Sequence, residues 1–212
     1  MNKLYKNAFV LLILMSLNIK CYALGNAKLA ISPQILVSTS VPFISHSGPG
    51  AFDNALAMNI PYQPVAMVRH QLSALLNYNL SAFKGWNAQG EAHITAITPP
   101  EYSILGRYVS IYKMNEIAAK NSIQNSDFQI LGMGSGFLNV NSNIQSTCFL
   151  IVNSLNLLSI RKQIYNEYLR NGGPEGSWNP LHFYPHITAG FTLRDLHEQD
   201  GVIRNKGSAS FT

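Results

Sequence analysis

Charge is scarce in this chain of 212 residues. Only 12% are Asp, Glu, Lys or Arg, and cysteine and tryptophan occur twice each. Charge so sparse excludes the heptad-patterned helices of a coiled coil. A hydrophobic content of 47% excludes disorder as the main state. The 15 glycines follow no three-residue period, so a collagen-like chain is excluded as well. There is no CxxC and no Cys/His cluster with zinc-site spacing. No apolar stretch reaches the ~20 residues that a membrane-spanning helix needs.

Much of the apolar content sits at the front. Lys3 and Lys6 precede a mostly apolar run over residues 8–19, followed by Lys20, Cys21, Tyr22 and Ala23. A basic start, a short apolar run and a small residue describe a secretory signal peptide over residues 1–23, cut after Ala23. The protein is therefore expected to be exported, to a periplasm or beyond the cell, with no stable membrane span after cleavage. Removing Lys3, Lys6 and Lys20 takes Lys+Arg from 15 to 12 against 10 Asp+Glu. The sequence pI of about 9.2 is thus partly a property of the targeting segment. It does not argue for a large nucleic-acid surface, which would need a clustered basic face. Cys148 would remain as a single cysteine, unable to form an internal disulfide. Its apolar, strand-like run Thr147–Val152 marks it as a buried, inert thiol.

The mature chain reads as one domain over residues 24–202, with halves at 24–125 and 126–202 and a polar tail at 203–212. Residues 28–42 are rich in Ile, Val, Leu and Thr and predict one or two strands. Residues 43–64 read as a loop with a short helix near Ala51–Met58. Apolar residues at helical spacing predict a helix over Val65–Asn79, then a strand over Glu91–Ile97 ended by Pro99-Pro100. Met114–Ile123 predicts a second helix. In the other half, Phe128–Leu131 and Gly136–Val140 suggest a hairpin across a Gly-rich turn. A strand at Ser146–Val152, a helix at Asn153–Leu169 and a strand at Leu181–Phe191 follow, with a helical turn at Thr192–Gln199.

Each half therefore runs strand, helix, strand, and the strand after each helix carries the same tetrapeptide. His-Ile-Thr-Ala stands at 93–96 and again at 186–189. Side chains alternate along a strand, so His93 and Thr95 share one face and His186 and Thr188 share another, each backed by an apolar face. A lone H-x-T carries almost no information. Two copies at equivalent places in two similar halves are hard to obtain by chance. If the halves face each other, the two His–Thr pairs converge in one cleft. One neutral imidazole can accept a proton from an attacking oxygen while the other, protonated, donates to a leaving oxygen. Threonine hydroxyls can stabilise the charge on non-bridging phosphate oxygens. Two histidines without carboxylate or thiolate partners make a poor metal cage, so neither metal nor other cofactor is expected.

This pattern resembles the two-histidine (2H) phosphoesterase superfamily, in which H-φ-T-φ (φ apolar) occurs once per lobe. The superfamily includes RNA 2′,3′-cyclic phosphodiesterases and the bacterial so-called 2′-5′ RNA ligases. The resemblance spans roughly Lys28 to Val202. It implies a bilobal α+β fold of two pseudo-symmetric lobes, each an antiparallel sheet with helices on its outer face and the active cleft between them. It also implies that His93, Thr95, His186 and Thr188 are the catalytic set, acting on a small nucleotide or oligonucleotide; the protein is separately expected to be a monomer. An exported binding module that keeps the cleft without useful turnover is the competing class.

Other residues have weaker assignments. Tyr184 shares the His186 face and either stacks a base or packs as an ordinary aromatic. Glu91, at the matching position of the first half, either orients His93 or lies on the surface. His182 shares the His186 face one step further out, or is exposed at the strand entry. Trp86 and Trp178 line the cleft rim or pack half-buried. Gly132-Met-Gly-Ser-Gly136 lacks the Lys-Ser/Thr of a P-loop. His46, His70 and His197 have no repeat partners and receive no role.

Overall fold

The computed structural model describes residues 28–50, 53–84, 90–140 and 143–209. The expected signal segment and Trp86 lie outside these residues. The fold is mixed α and β. The strands are β1 (Leu56–Asn59), β2 (His93–Ile97), β3 (Gln129–Val140), β4 (Asn143–Asn153) and β5 (His186–Phe191). They form one sheet in the order β1-β2-β5-β4-β3, and every neighbouring pair is antiparallel. The helices are α1 (Tyr62–Leu76), α2 (Pro99–Leu105), α3 (Ile111–Lys120) and α4 (Leu155–Arg170).

The expectation of one sheet per lobe gives way to a single shared sheet. The two motif strands, β2 and β5, are hydrogen-bonded neighbours at its centre, with Ile94 opposite Ile187. The physical reason is edge satisfaction. Alone, the short β1–β2 pair would be too small to stand and would leave the inner edge of β2 unpaired; β5 covers that edge on one side and pairs with β4 on the other.

One face of this sheet carries the main core. Ile94, Ala96, Ile187 and Ala189, the apolar members of the two tetrapeptides, are buried there with Leu150 and Val152. Against them pack Val65, Val68, Leu72 and Leu76 of α1, Met114 and Ala118 of α3, and Leu157, Ile160, Ile164 and Tyr168 of α4. Both expected long helices form on their apolar stripes. Asn77 ends α1 in a left-handed conformation, and Ser154 caps α4 by accepting from the Leu157 amide.

Other expectations are corrected. Residues 28–42 form 3₁₀ turns at Pro33–Leu36 and Ser38–Ser40 instead of strands; Ser32 caps the first turn and Pro33 opens it. Of the loop helix expected near Ala51–Met58, residues 51 and 52 lie outside the described residues, and Leu56–Met58 belong to β1 instead. Pro99-Pro100 does end β2, but it also opens α2. Proline lacks an N–H that the first helical turn does not use, and Thr98 with Glu101 forms a capping box around it. The Gly-rich segment is no turn: β3 runs straight through it and pairs with β4 from Gln129–Asn153 to Val140–Asn143. The strand expected over Leu181–Phe191 begins only at His186, and the helical turn expected over Thr192–Gln199 shrinks to Glu198–Asp200. In the tail expected over 203–212, Arg204 is buried while Ile203, Asn205 and Lys206 are exposed, and residues 210–212 lie outside the described residues.

Candidate active site

The second face of the sheet holds the polar members of both tetrapeptides. From Ile94 opposite Ile187, antiparallel register carried one residue either way sets His93 opposite Thr188 and Thr95 opposite His186. The four side chains thus share one face of adjoining strands, and the two histidines are diagonal neighbours, about 7–8 Å apart on the sheet. The four residues meet on neighbouring strands rather than across a gap between sheets.

Identical tetrapeptides are held in different surroundings. The His93 ring is nearly buried, at 9% exposure, and stacks on Phe83 with 5.4 Å between centroids. Its Nδ1 lies 2.8 Å from Glu91 Oε1. Burial pushes the Glu91 carboxyl up, but the His93 hydrogen bond and the neighbouring His93 and His46 imidazoles outweigh it and hold the group below its ordinary value. Glu91 is thus ionised near neutral pH, accepts only, and His93 Nδ1–H must be the donor. The orienting alternative for Glu91 stands, and the surface alternative falls: its side chain is 11% exposed.

Among the described residues, no carboxylate is hydrogen-bonded to the His186 ring. Its Nδ1–H donates to the backbone carbonyl of Tyr184 at 2.9 Å, and its ring meets the Phe149 ring edge-on, 5.8 Å between centroids. Burial first, and the nearby Arg204 charge second, push the imidazole down to about 3, against the Tyr184 hydrogen bond and Asp195. A neutral ring with its proton on Nδ1 carries a lone pair on Nε2.

The threonines also differ. Thr188 donates to Asp195 Oδ2 at 3.1 Å. Asp195 Oδ1 accepts from Thr147 at 2.5 Å and from Arg204 Nη2 at 2.8 Å. The Arg204 guanidinium lies over Phe149, 5.2 Å from its centroid. This layer has its own small core of Phe149, Ile151, Leu196 and Val202. The glycines of β3 make room for it. A Cβ at Gly134 would stand 2.4 Å from the Phe149 ring, and one at Gly136 2.3 Å from Val202.

The remaining candidates fall into place around this centre. Tyr184 supports His186 through its carbonyl while its ring is 44% exposed. His182 and His70 are exposed. Trp178 is buried away from any rim, donating to Glu101 and packed on Arg161. Cys148 is buried, and burial pushes its thiol up to about 12, so it stays protonated and unreactive. Three histidine-, carboxylate- or arginine-bearing positions escaped sequence reasoning. His46 sits within electrostatic reach of Glu91 and His93. Asp195 and Arg204 surround the second motif. None has a repeat partner, so no pattern pointed to them; only the Glu91/Tyr184 equivalence two residues before each histidine was visible. Among the described residues, no group of three or more His, Cys, Asp or Glu side chains is gathered to hold a metal ion.

A family model described as the Swiss Army Knife 2H phosphoesterase domain (2H-SAK) matches residues 54–197, well over half of the chain and both motif strands. No curated protein and no solved structure matches it.

Proposed function

The chain belongs to the 2H phosphoesterase domain family, and from that premise we propose that it hydrolyses a phosphodiester by paired-histidine acid–base catalysis without a metal. A phosphodiesterase-type activity follows from the family; the cyclic phosphate or short oligonucleotide substrate is our reading. The observation that carries it is the unequal pair: His93 on an ionised Glu91, His186 on a carbonyl with its Nε2 unprotonated. The segments β1–α1–β2 and β4–α4–β5 are read as the two pseudo-symmetric halves, each contributing one motif.

In this mechanism His186 Nε2 takes a proton from the attacking water as the water oxygen bonds to phosphorus. The bond from phosphorus to the leaving oxygen breaks with its electron pair, and His93 delivers the Nε2 proton to that oxygen. Glu91 holds the His93 ring in place through Nδ1–H, so that Nε2 faces the leaving oxygen. Thr95 donates to a non-bridging oxygen. Glu91 also lines a cleft of about 520 Å³ with Asn59, Tyr62 and Gln63. His93, Thr95, His186 and Thr188 do not line that cleft, so it lies beside the site rather than at it, and Tyr184, 44% exposed, is the aromatic residue placed to stack a base.

The test is turnover of nucleoside 2′,3′-cyclic phosphates and 2′-5′ dinucleotides with chelator present. Turnover should persist in chelator, follow a bell-shaped pH profile, and fall about 10²–10⁴-fold in His93→Ala and in His186→Ala. The double variant should be little worse than either single one, because both groups serve one proton-transfer sequence. Undiminished turnover without His93 overturns the mechanism; tight nucleotide binding without turnover turns the reading to the binding module. We also propose export through residues 1–23. No helix among the described residues is long and apolar enough to cross a membrane. N-terminal sequencing of protein from outside the cytoplasm should find Leu24 first; an intact Met1 there overturns export by cleavage.

A further inference from the structure

The second motif is supported by residues that the first motif lacks, and one of them lies beyond the residues that match the family. Asp195 is 7% exposed and Arg204 6%. The Asp195 carboxylate gathers Thr188 of β5, Thr147 of β4 and Arg204 of the C-terminal segment. Arg204 also donates to the Leu196 carbonyl and to His197 Nδ1, the latter at 3.2 Å. Its guanidinium covers Phe149, whose ring edge meets His186. A buried carboxylate and a buried guanidinium are tolerated because each satisfies the other.

We propose that Asp195 and Arg204 are positioning residues that make the second motif the proton-accepting half of the site. Asp195 takes the only proton of the Thr188 hydroxyl, so Thr188 keeps oxygen lone pairs on the sheet face that carries His186, unlike Thr95, which has no hydrogen-bond partner among the described residues. A lone pair beside His186 suits the second hydrogen of an attacking water, whose first hydrogen His186 removes. Arg204 adds a positive charge near His186, which opposes protonation of that ring; Asp195 partly offsets it. The charged and titratable groups about His186 are Arg204, Asp195 and His93, with His197 behind Arg204 and 4.0 Å from Asp195. The C-terminal segment, which reads as a polar tail, is in this view part of the catalytic apparatus.

The inference rests on His186 being the base, and its test needs no substrate. The titration of His186 is followed by NMR of the imidazole nitrogens in the whole protein, in Arg204→Gln, in Arg204→Lys and in Asp195→Asn. In the parent protein the ring should remain neutral well below the ordinary imidazole range. Arg204→Gln should move its midpoint up by about one pH unit or more, and Asp195→Asn should move it down. Arg204→Lys, which keeps the charge, should leave it nearly in place. A merely structural role would move Arg204→Gln and Asp195→Asn in the same direction, toward the ordinary value, as the site loosens; that result overturns the proposal. Should both variants fail to fold, the parent protein still decides it, because titration of His186 near the ordinary value overturns it outright. Absent turnover with these titrations intact would instead count against the proposed activity.

Discussion

At the residue scale, two identical tetrapeptides acquire different hydrogen-bond partners from the residue two places before each histidine. Glu91 reaches His93 Nδ1 with its side chain, and Tyr184 reaches His186 Nδ1 with its backbone carbonyl. A carboxylate rewards a charged ring; a carbonyl orients a ring without adding a full charge. Glu91→Gln keeps an acceptor for Nδ1–H but removes the charge. Turnover should drop about ten- to a hundredfold, because the charge-assisted hydrogen bond on the His93 ring is replaced by a neutral one. Steady-state rates check this; unchanged turnover would show that the Glu91 charge does not matter.

At the scale of elements, one arginine ties the two motif strands to the helices beneath them. Arg161 of α4 is 1% exposed and lies between the rings of Trp178 and Phe183. It donates to the Ala96 carbonyl of β2, to the Pro180 and His182 carbonyls ahead of β5, and to Glu101 of α2. Arg161→Ala should destabilise the protein by about 3–5 kcal/mol, because it removes the cation paired with Glu101 and the donor of three carbonyls, those of Ala96 and Pro180 buried. Urea denaturation measures the loss, and a change below about 1 kcal/mol would show the network to be dispensable. Such ties are invisible in a sequence, whereas α1 and α4 were legible because their apolar stripes and stop signals are local. Thr98-x-x-Glu101 was equally local evidence for α2, but the adjacent prolines masked it as a strand end. The Gly-rich stretch of β3 misleads for a different reason. Glycine usually marks a turn, yet here the missing side chains at Gly134 and Gly136 are space that Phe149 and Val202 fill from distant parts of the chain. Residues 28–42 have strand-like composition but find no strand edge, and Ser32 and Pro33 turn them into 3₁₀ geometry instead.

At the scale of the whole molecule, the repeated motif located the histidines and threonines, but not the layer that conditions them. That layer comes from chain ends and loops without a repeat: His46 before β1, and Asp195, His197 and Arg204 after β5. Its cost should appear as sensitivity to acid. Burial lowers the imidazoles of His46 and His186 in the folded protein. Unfolded, each would titrate near the ordinary value of about 6.5. Below that value the unfolded chain binds protons that the folded protein refuses, so stability must fall as pH drops from about 6.5 toward the folded values, about 3 for His186. Glu91 acts in the same sense at lower pH, because its lowered carboxyl stabilises the fold only while ionised. Denaturant midpoints should therefore be lower at about pH 5 than at about pH 7, and His186→Gln, which removes one of the refused protons, should flatten part of that slope. The comparison is internal to each variant, so a change in overall stability from the substitution cancels. Equal midpoints for the parent protein at the two pH values would mean that these rings are hydrated enough to take up protons without unfolding, and that the site layer is open to water where the packing of Phe149, Leu196 and Val202 closes it.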